Sequence, residues 1–169
     1  MLGGRFYPTV MKGAPRMSEL AEREPVWVYV DCVCDLFHMG HVRFFEQARS
    51  FGDRLIVGLH SDADVMSYKP APILTWAERL EVVRACRLVD RVVEHPVPLH
   101  VTPAALDSYG ATYVCHGDDM TPEQLDYWYG ELVPAGRLKV ASYTSGISSR
   151  DIIARVAERL KAGTLRVKL

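Results

Sequence analysis

The stretch PVWVYVDCVCDLFHMGHVRFFEQARSFGDRLIVGLH, residues 25–60, decides the fold. Its opening, PVWVYVDCVC, is apolar and rich in β-branched residues. The run is nearly continuous rather than alternating, as in a strand covered on both faces. HVRFFEQARSFG then reads as a helix ending at Gly52, and DRLIVGLH as a second buried strand. Between the first strand and the helix stand two histidines, His38 and His41, around a Met–Gly pair.

Working outward, SDADVMSYKPAPILT holds two prolines and mixed polarity and reads mostly as loop. WAERLEVVRACRL reads as a helix with Trp76, Leu80 and Val83 along one side. VDRVVEH is a short strand, TPAALDSYG a short helix and TYVCHG another strand. TPEQLDYWYG places Pro122 just inside a helix, where its missing N–H costs nothing. LKVASY is a late strand. SSRDIIARVAERLKAG is a terminal helix with Ile152, Ile153, Val156 and Leu160 as its apolar stripe. Strands alternating with helices predict an α/β fold: a parallel sheet joined by right-handed crossovers, with helices on both faces. Ligands of such sheets gather beyond the carboxyl ends of the strands. The segments Asp31–His41, His60–Lys69, Cys115–Asp119 and Tyr143–Arg150 all follow strands, so the polar chemistry collects at one edge.

The 169 residues are 49% hydrophobic, which suits one domain with a substantial core. Residues 1–25 read as an N-terminal extension and residues 26–169 as the domain. The 20 basic and 21 acidic residues leave a net charge of −1 and no polybasic signal for nucleic acid. Four cysteines make no disulfide scaffold, and the reading is a reduced, cytoplasmic protein. No apolar run approaches the roughly 20 residues that span a bilayer, so no membrane partner is expected.

The turn DLFHMGH carries the first chemistry. Gly40 lets backbone approach a ligand, and the free N–H groups of the following helical turn favour an anion. His38 and His41, three apart, can face one way and donate hydrogen bonds to phosphate oxygens. That suits phosphoryl or nucleotidyl transfer, in which charge grows on nonbridging oxygens. The same two histidines could simply cap the helix and fill space. A zinc site would add Cys32, Cys34, Cys115 and His116, but C-x-C is not the usual ligand spacing. Cys32 and Cys34 read more simply as core or turn residues, and Cys86 as helix core.

These residues resemble the cytidylyltransferases of small phosphorylated alcohols, within the HxGH nucleotidyltransferase superfamily. The resemblance covers roughly residues 26–160. HMGH is its HxGH. GDRLIVGLHSDADVMSYK, ILTWAERLEVVRACRLVDRVV, CHGDD and TSGISSRDII resemble four further blocks in the same order. The wording is closest to phosphoethanolamine cytidylyltransferases, while GDDM is similar to the GDDW of glycerol-phosphate members. The resemblance implies a Rossmann-like fold, a homodimer, CTP and a phosphorylated alcohol as substrates, and Mg²⁺ held mostly by phosphates and waters.

It also implies roles. His38 and His41 hold the triphosphate and stabilise the transition state at the α-phosphorus. Lys69 grips phosphate across the cleft, against the plainer reading of a solvated lysine. Arg79 lies near the nucleotide, against that of a solvated helix arginine. Thr75 and Glu78 form a capping box that fixes the start of its helix. Cys32, Val33, Cys34, Asp35 and Gly40 form the nucleotide turn, with Asp35 near the triphosphate or serving as a turn aspartate. Gly117 and Asp118 read base, ribose or metal. Gly146, Ile147, Ser148 and Ser149 make a second phosphate seat in which Ser148 also caps the last helix with Asp151. Trp76, Trp128 and Tyr129 shape the pocket or a dimer face, or simply pack.

The chain also departs from the family. Cys32, Val33 and Cys34 stand where members carry a glycine, a variable residue and a phenylalanine. Arg150 replaces the last threonine of the closing G-I-S-T-T block, and Tyr143 stands near where some members place arginine. Both become acceptor-binding candidates, and a phosphonate acceptor joins the phosphate esters. An ATP-dependent adenylyltransferase and a non-catalytic nucleotide-binding regulator are the competing readings.

Overall fold

The computed structural model describes residues 23–166. The expected extension therefore lies almost wholly outside the described residues. Eleven elements follow one another in this described span: β1 Trp27–Cys32, α1 Met39–Arg49, β2 Arg54–Leu59, α2 Asp62–Met66, α3 Trp76–Arg84, β3 Arg91–Val92, α4 Pro103–Ser108, β4 Tyr113–Gly117, α5 Pro122–Tyr129, β5 Leu138–Ala141 and α6 Ser149–Lys161.

All five strands are parallel, in the order β3-β2-β1-β4-β5. The chain runs outward from β1 to β3, returns across the sheet and runs outward again through β4 to β5. The reversal leaves a switch point between β1 and β4, where a crevice opens beyond the carboxyl ends. β1 is buried on both sides. Val28 and Val30 join Phe45, Ala48, Leu80 and Val83 of α1 and α3 on one face. Tyr29 joins Leu106 of α4 and Tyr129 of α5 on the other. Period-two alternation places consecutive β1 residues on opposite cores, so the run reads as continuously apolar. This is the Rossmann-like α/β architecture expected from the sequence.

Two expectations need correction and one gains detail. Residues 61–75 are mostly loop, as expected, but hold one short helix: Ser61 accepts from the Asp64 N–H and caps α2. The third strand shrinks to Arg91–Val92 at the sheet edge, and Cys86 lies just beyond α3, packed against the core. The apolar stripe expected on α6 carries Ile153, Val156 and Leu160, all of them exposed. Among the described residues no helix is long and apolar enough to cross a membrane.

Candidate active site

The turn after β1 folds around its own polar groups. Cys34 and Leu36 take positive φ angles of 54° and 48°, a conformation that side chains disfavour. Cys34 is buried, and Phe37 packs against the same core, so tertiary packing stabilises the unfavourable turn. His38 is the N-cap of α1. Its Nδ1 accepts from the Gly40 N–H at 3.1 Å, and the His41 Nδ1 accepts from the His38 N–H at 3.2 Å. The two histidines thus make a reciprocal capping box.

That box decides their chemistry. An Nδ1 that accepts carries no proton, so each neutral ring holds its proton on Nε2. Burial lowers the His41 pKa to about 3, with the neighbouring His38 adding to the effect. Desolvation also lowers that of His38. The rings lie 4.0 Å apart between centroids, and Phe37 stacks on His41 at 5.4 Å. The result is a pair of neutral, oriented Nε2–H donors. A Cβ added at Gly40 would stand 2.9 Å from the His38 ring, so the glycine is required for the rings to sit as they do.

The second seat adjoins the first. A Cβ at Gly40 would also stand 3.3 Å from the Ile147 carbonyl oxygen, and the Ser149 hydroxyl donates to the Asp35 carbonyl at 2.7 Å. Gly146 turns the chain into α6 at φ 89°, where glycine is favoured. Ser148 caps α6 and its hydroxyl donates to Asp151. The hydroxyls of Ser148 and Ser149 are therefore spent on structure. The remaining anion-binding groups are the first backbone N–H groups of α6 and the exposed Arg150.

Asp35 and Arg79 act on the loops. Both Asp35 oxygens accept from backbone, from the Ile73 and Leu74 N–H groups at 2.9 Å each. Arg79 is fully buried. Its Nε donates to the Leu74 carbonyl at 3.2 Å, one Nη to the Val33 carbonyl, and the other to the His60 carbonyl at 2.9 Å and the Asp62 carboxylate at 2.6 Å. Arg79 is thus not a solvated helix arginine; its donors are taken by protein acceptors. It ties the histidine turn, the end of β2 and the two ends of the 62–74 loop. The capping box of Thr75 and Glu78 is present and fixes its helix. Lys69, carried by that loop, is exposed, with Nζ 5.0 Å from the Tyr68 ring centroid. Its pKa is lowered chiefly by desolvation, with Arg150 adding to the effect and Asp119 opposing it.

The third wall comes from β4 and β5. Asp118 accepts from the Tyr143 N–H at 2.7 Å and so joins the two strand-end loops. Tyr143 is 55% exposed. A Cβ at Gly117 would press on the Asp119 carboxylate at 2.8 Å. Cys32 ends β1, and its Sγ faces the Gly58 carbonyl at 3.9 Å. Burial and the neighbouring Cys34 hold its thiol well above the usual range. Val33 contributes its carbonyl to Arg79. Among the described residues no three His, Cys, Asp or Glu side chains group as a metal cluster.

Two residues without an assigned role complete the edge. Asp31 is 2% exposed and takes the Tyr129 hydroxyl proton donor at 2.6 Å on Oδ1; its Oδ2 has no partner. Proximity to this carboxylate, after burial, holds the Tyr129 hydroxyl well above its usual range. His60 follows β2, buried, with Nε2 3.8 Å from that free oxygen. The available signal was a carboxylate inside an apolar strand: a charge there needs a partner.

Two helix N-termini, one of them capped by a neutral histidine pair, therefore meet at the switch point of a doubly wound sheet. A family model described as Cytidylyltransferase-like matches residues 29–155, and the chain belongs to that family. The ethanolamine-phosphate cytidylyltransferase of Dictyostelium discoideum is 34% identical over 142 residues, covering 83% of this chain and 39% of that protein. Choline-phosphate cytidylyltransferase A of Homo sapiens is 36% identical over 135 residues, covering 78% of this chain and 36% of that protein. The chain thus spans about two fifths or less of the length of these curated relatives. The crystal structure of the lipopolysaccharide core biosynthesis protein from Thermoplasma volcanium GSS1 matches with a TM-score of 0.59 at 17% identity, covering 73% of this chain and 100% of that one. That likeness supports the fold.

Proposed function

We propose that this chain transfers CMP from CTP to a small phosphorylated alcohol or phosphonate. An acceptor phosphate oxygen attacks the α-phosphorus in line. The new O–P bond forms as the bond to the β-phosphate breaks, and the electron pair leaves with pyrophosphate. The acceptor oxygen is already anionic at neutral pH, so no general base is required. The observation that carries this reading is the reciprocal capping box of His38 and His41, which aims two neutral Nε2–H donors from one helical turn. Donors fixed in advance stabilise charge growing on the α-phosphoryl oxygens without reorganising. Bonds that strengthen in the transition state accelerate the reaction. Lys69, Arg150 and the α6 N-terminus bring positive charge from the other margins.

The names of the relatives support CTP and a phosphate ester whose alcohol carries a cationic nitrogen. The buried Asp31 carboxylate supplies an anionic partner for such a nitrogen. Mg²⁺ belongs to the proposal as the triphosphate's own ion. Each Asp35 oxygen accepts one backbone N–H and keeps a further lone pair, and no step is assigned to the metal. A homodimer and a cytoplasmic setting are part of the same reading; sedimentation velocity tests the first. Incubation with each nucleoside triphosphate and a mixed pool of phosphate and phosphonate acceptors, with the conjugate identified by mass, tests the activity. A CMP conjugate is expected. An AMP conjugate would transfer the reading to adenylyl transfer, and nucleotide binding without any conjugate would defeat catalysis.

A further inference from the structure

We propose that Gln47 is a positioning residue for the nucleotide: reaching from the histidine helix, it fixes the entry of the 142–149 loop, so that the α6 N-terminus faces the histidine donors in one register. The inference rests on the transfer reaction proposed above and adds to it a residue that acts through a loop and not on the substrate. Gln47 lies on α1, the helix that His38 caps. Its Nε2 donates to the Ser142 carbonyl at 3.0 Å, and its Oε1 accepts from the Ser142 N–H at 2.9 Å. A primary amide offers a donor and an acceptor side by side. It therefore pairs with the N–H and C=O of one residue as a neighbouring strand would.

Ser142 is the first residue after β5, where the pairing with β4 stops at Gly117 and Ala141. The next residue is held from the other side. The Tyr143 N–H donates to Asp118 Oδ1 at 2.7 Å, and the Asp118 N–H donates to the Ala141 carbonyl at 2.9 Å. Side chains from α1 and from the β4 loop thus continue the ladder beyond the sheet. Past this grip the loop is open: Tyr143, Ser145 and Gly146 are exposed, and a Cβ at Gly146 would meet nothing within 4 Å. Its far end returns to the histidine turn, with the Ser149 hydroxyl on the Asp35 carbonyl at 2.7 Å and the Ile147 carbonyl against Gly40. Both ends of the loop are therefore referred to α1 and its turn, Gln47 at the entry and Asp35 with Gly40 at the exit. Loss of the Gln47 pair leaves the entry to Asp118 and lets the α6 N-terminus drift against the Nε2–H donors. A misplacement of about 1 Å in such an arrangement costs about 10²-fold in rate.

The test compares the full unmodified chain with Gln47→Leu, which removes both bonds, and Gln47→Glu, which keeps the acceptor for the Ser142 N–H and loses the donor. Calorimetric titration with CTP, without acceptor, reads nucleotide affinity. Steady-state pyrophosphate release, with the acceptor identified from the mixed pool, reads kcat and both KM values. We expect Gln47→Leu to weaken CTP binding by at least about 10-fold and to lower kcat/KM for CTP by about 10²-fold. The acceptor KM at saturating CTP should stay within about twofold, because the loop holds the nucleotide and not the acceptor. Gln47→Glu should fall between Gln47→Leu and the unmodified chain. Unchanged CTP affinity in a folded Gln47→Leu would overturn the inference, and so would an equal rise in the two KM values, which marks a general loss of structure. If the leucine variant does not fold, Gln47→Glu decides on the same two readings. Failure of the unmodified chain to bind CTP would instead defeat the transfer reading itself, whereas CTP binding without any conjugate leaves the calorimetric comparison standing.

Discussion

Replacing Arg79 separates two roles that a site arginine can play. Its guanidinium is wholly buried and donates to the Val33, His60 and Leu74 carbonyls and to Asp62. Arg79→Ala would remove these donors together and leave buried carbonyls unpaired. Each such loss costs about 1–3 kcal/mol, so the unpaired carbonyls together cost about 3–5 kcal/mol. For a domain of this size each kcal/mol moves the midpoint about 2–4 °C, so Tm should fall by roughly 10 °C. Arg79→Lys keeps the charge but loses the planar fork, so it should recover only part of the deficit. Thermal unfolding beside steady-state pyrophosphate release checks both variants. A positioning residue should lower stability and turnover together. An Arg79→Lys protein with unchanged Tm and abolished turnover would refute the reasoning, because it would place the guanidinium on the substrate.

Three further outcomes follow from the site. The His41 pKa of about 3 lies below the usual 6.5. The unfolded chain therefore binds this proton first as pH falls, and stability should be lost at roughly 1.4 kcal/mol per pH unit between about 6.5 and 3. Above that window the contribution is complete; urea unfolding across the range, compared with His41→Asn, measures the slope. Gly40→Ala should push the His38 ring, 2.9 Å from the new Cβ, and cut turnover by about 10²-fold, read as kcat in folded protein. Lys69→Ala should reduce turnover by orders of magnitude while Tm stays within a degree or two, since the side chain is exposed; near-normal turnover would remove Lys69 from the clamp.

Much of this architecture was legible from local pattern. β1 and β2 read as buried strands because both their faces meet apolar helices, and Thr75 with Glu78 announced a helix start that the structure keeps. α2 was hidden because its five residues carry no apolar periodicity and begin only at the Ser61 cap. The stripe of α6 was visible as a stripe, but its exposure was not, since period describes a helix and not what covers it.

The sequence by itself determined the order of strands and helices, the edge on which polar segments gather, and the presence of a histidine turn followed by a phosphate-seating helix. Those features depend on neighbours within a few positions along the chain. Only the tertiary structure decided which groups remain free to meet a ligand. Asp35 and Arg79 bond to backbone 38 and 46 residues away. Asp31 gains the Tyr129 hydroxyl from 98 residues away and keeps one oxygen open beside His60. A polar side chain's role depends on which hydrogen-bond partners have already been taken, and partners that distant are set by folding rather than by spacing.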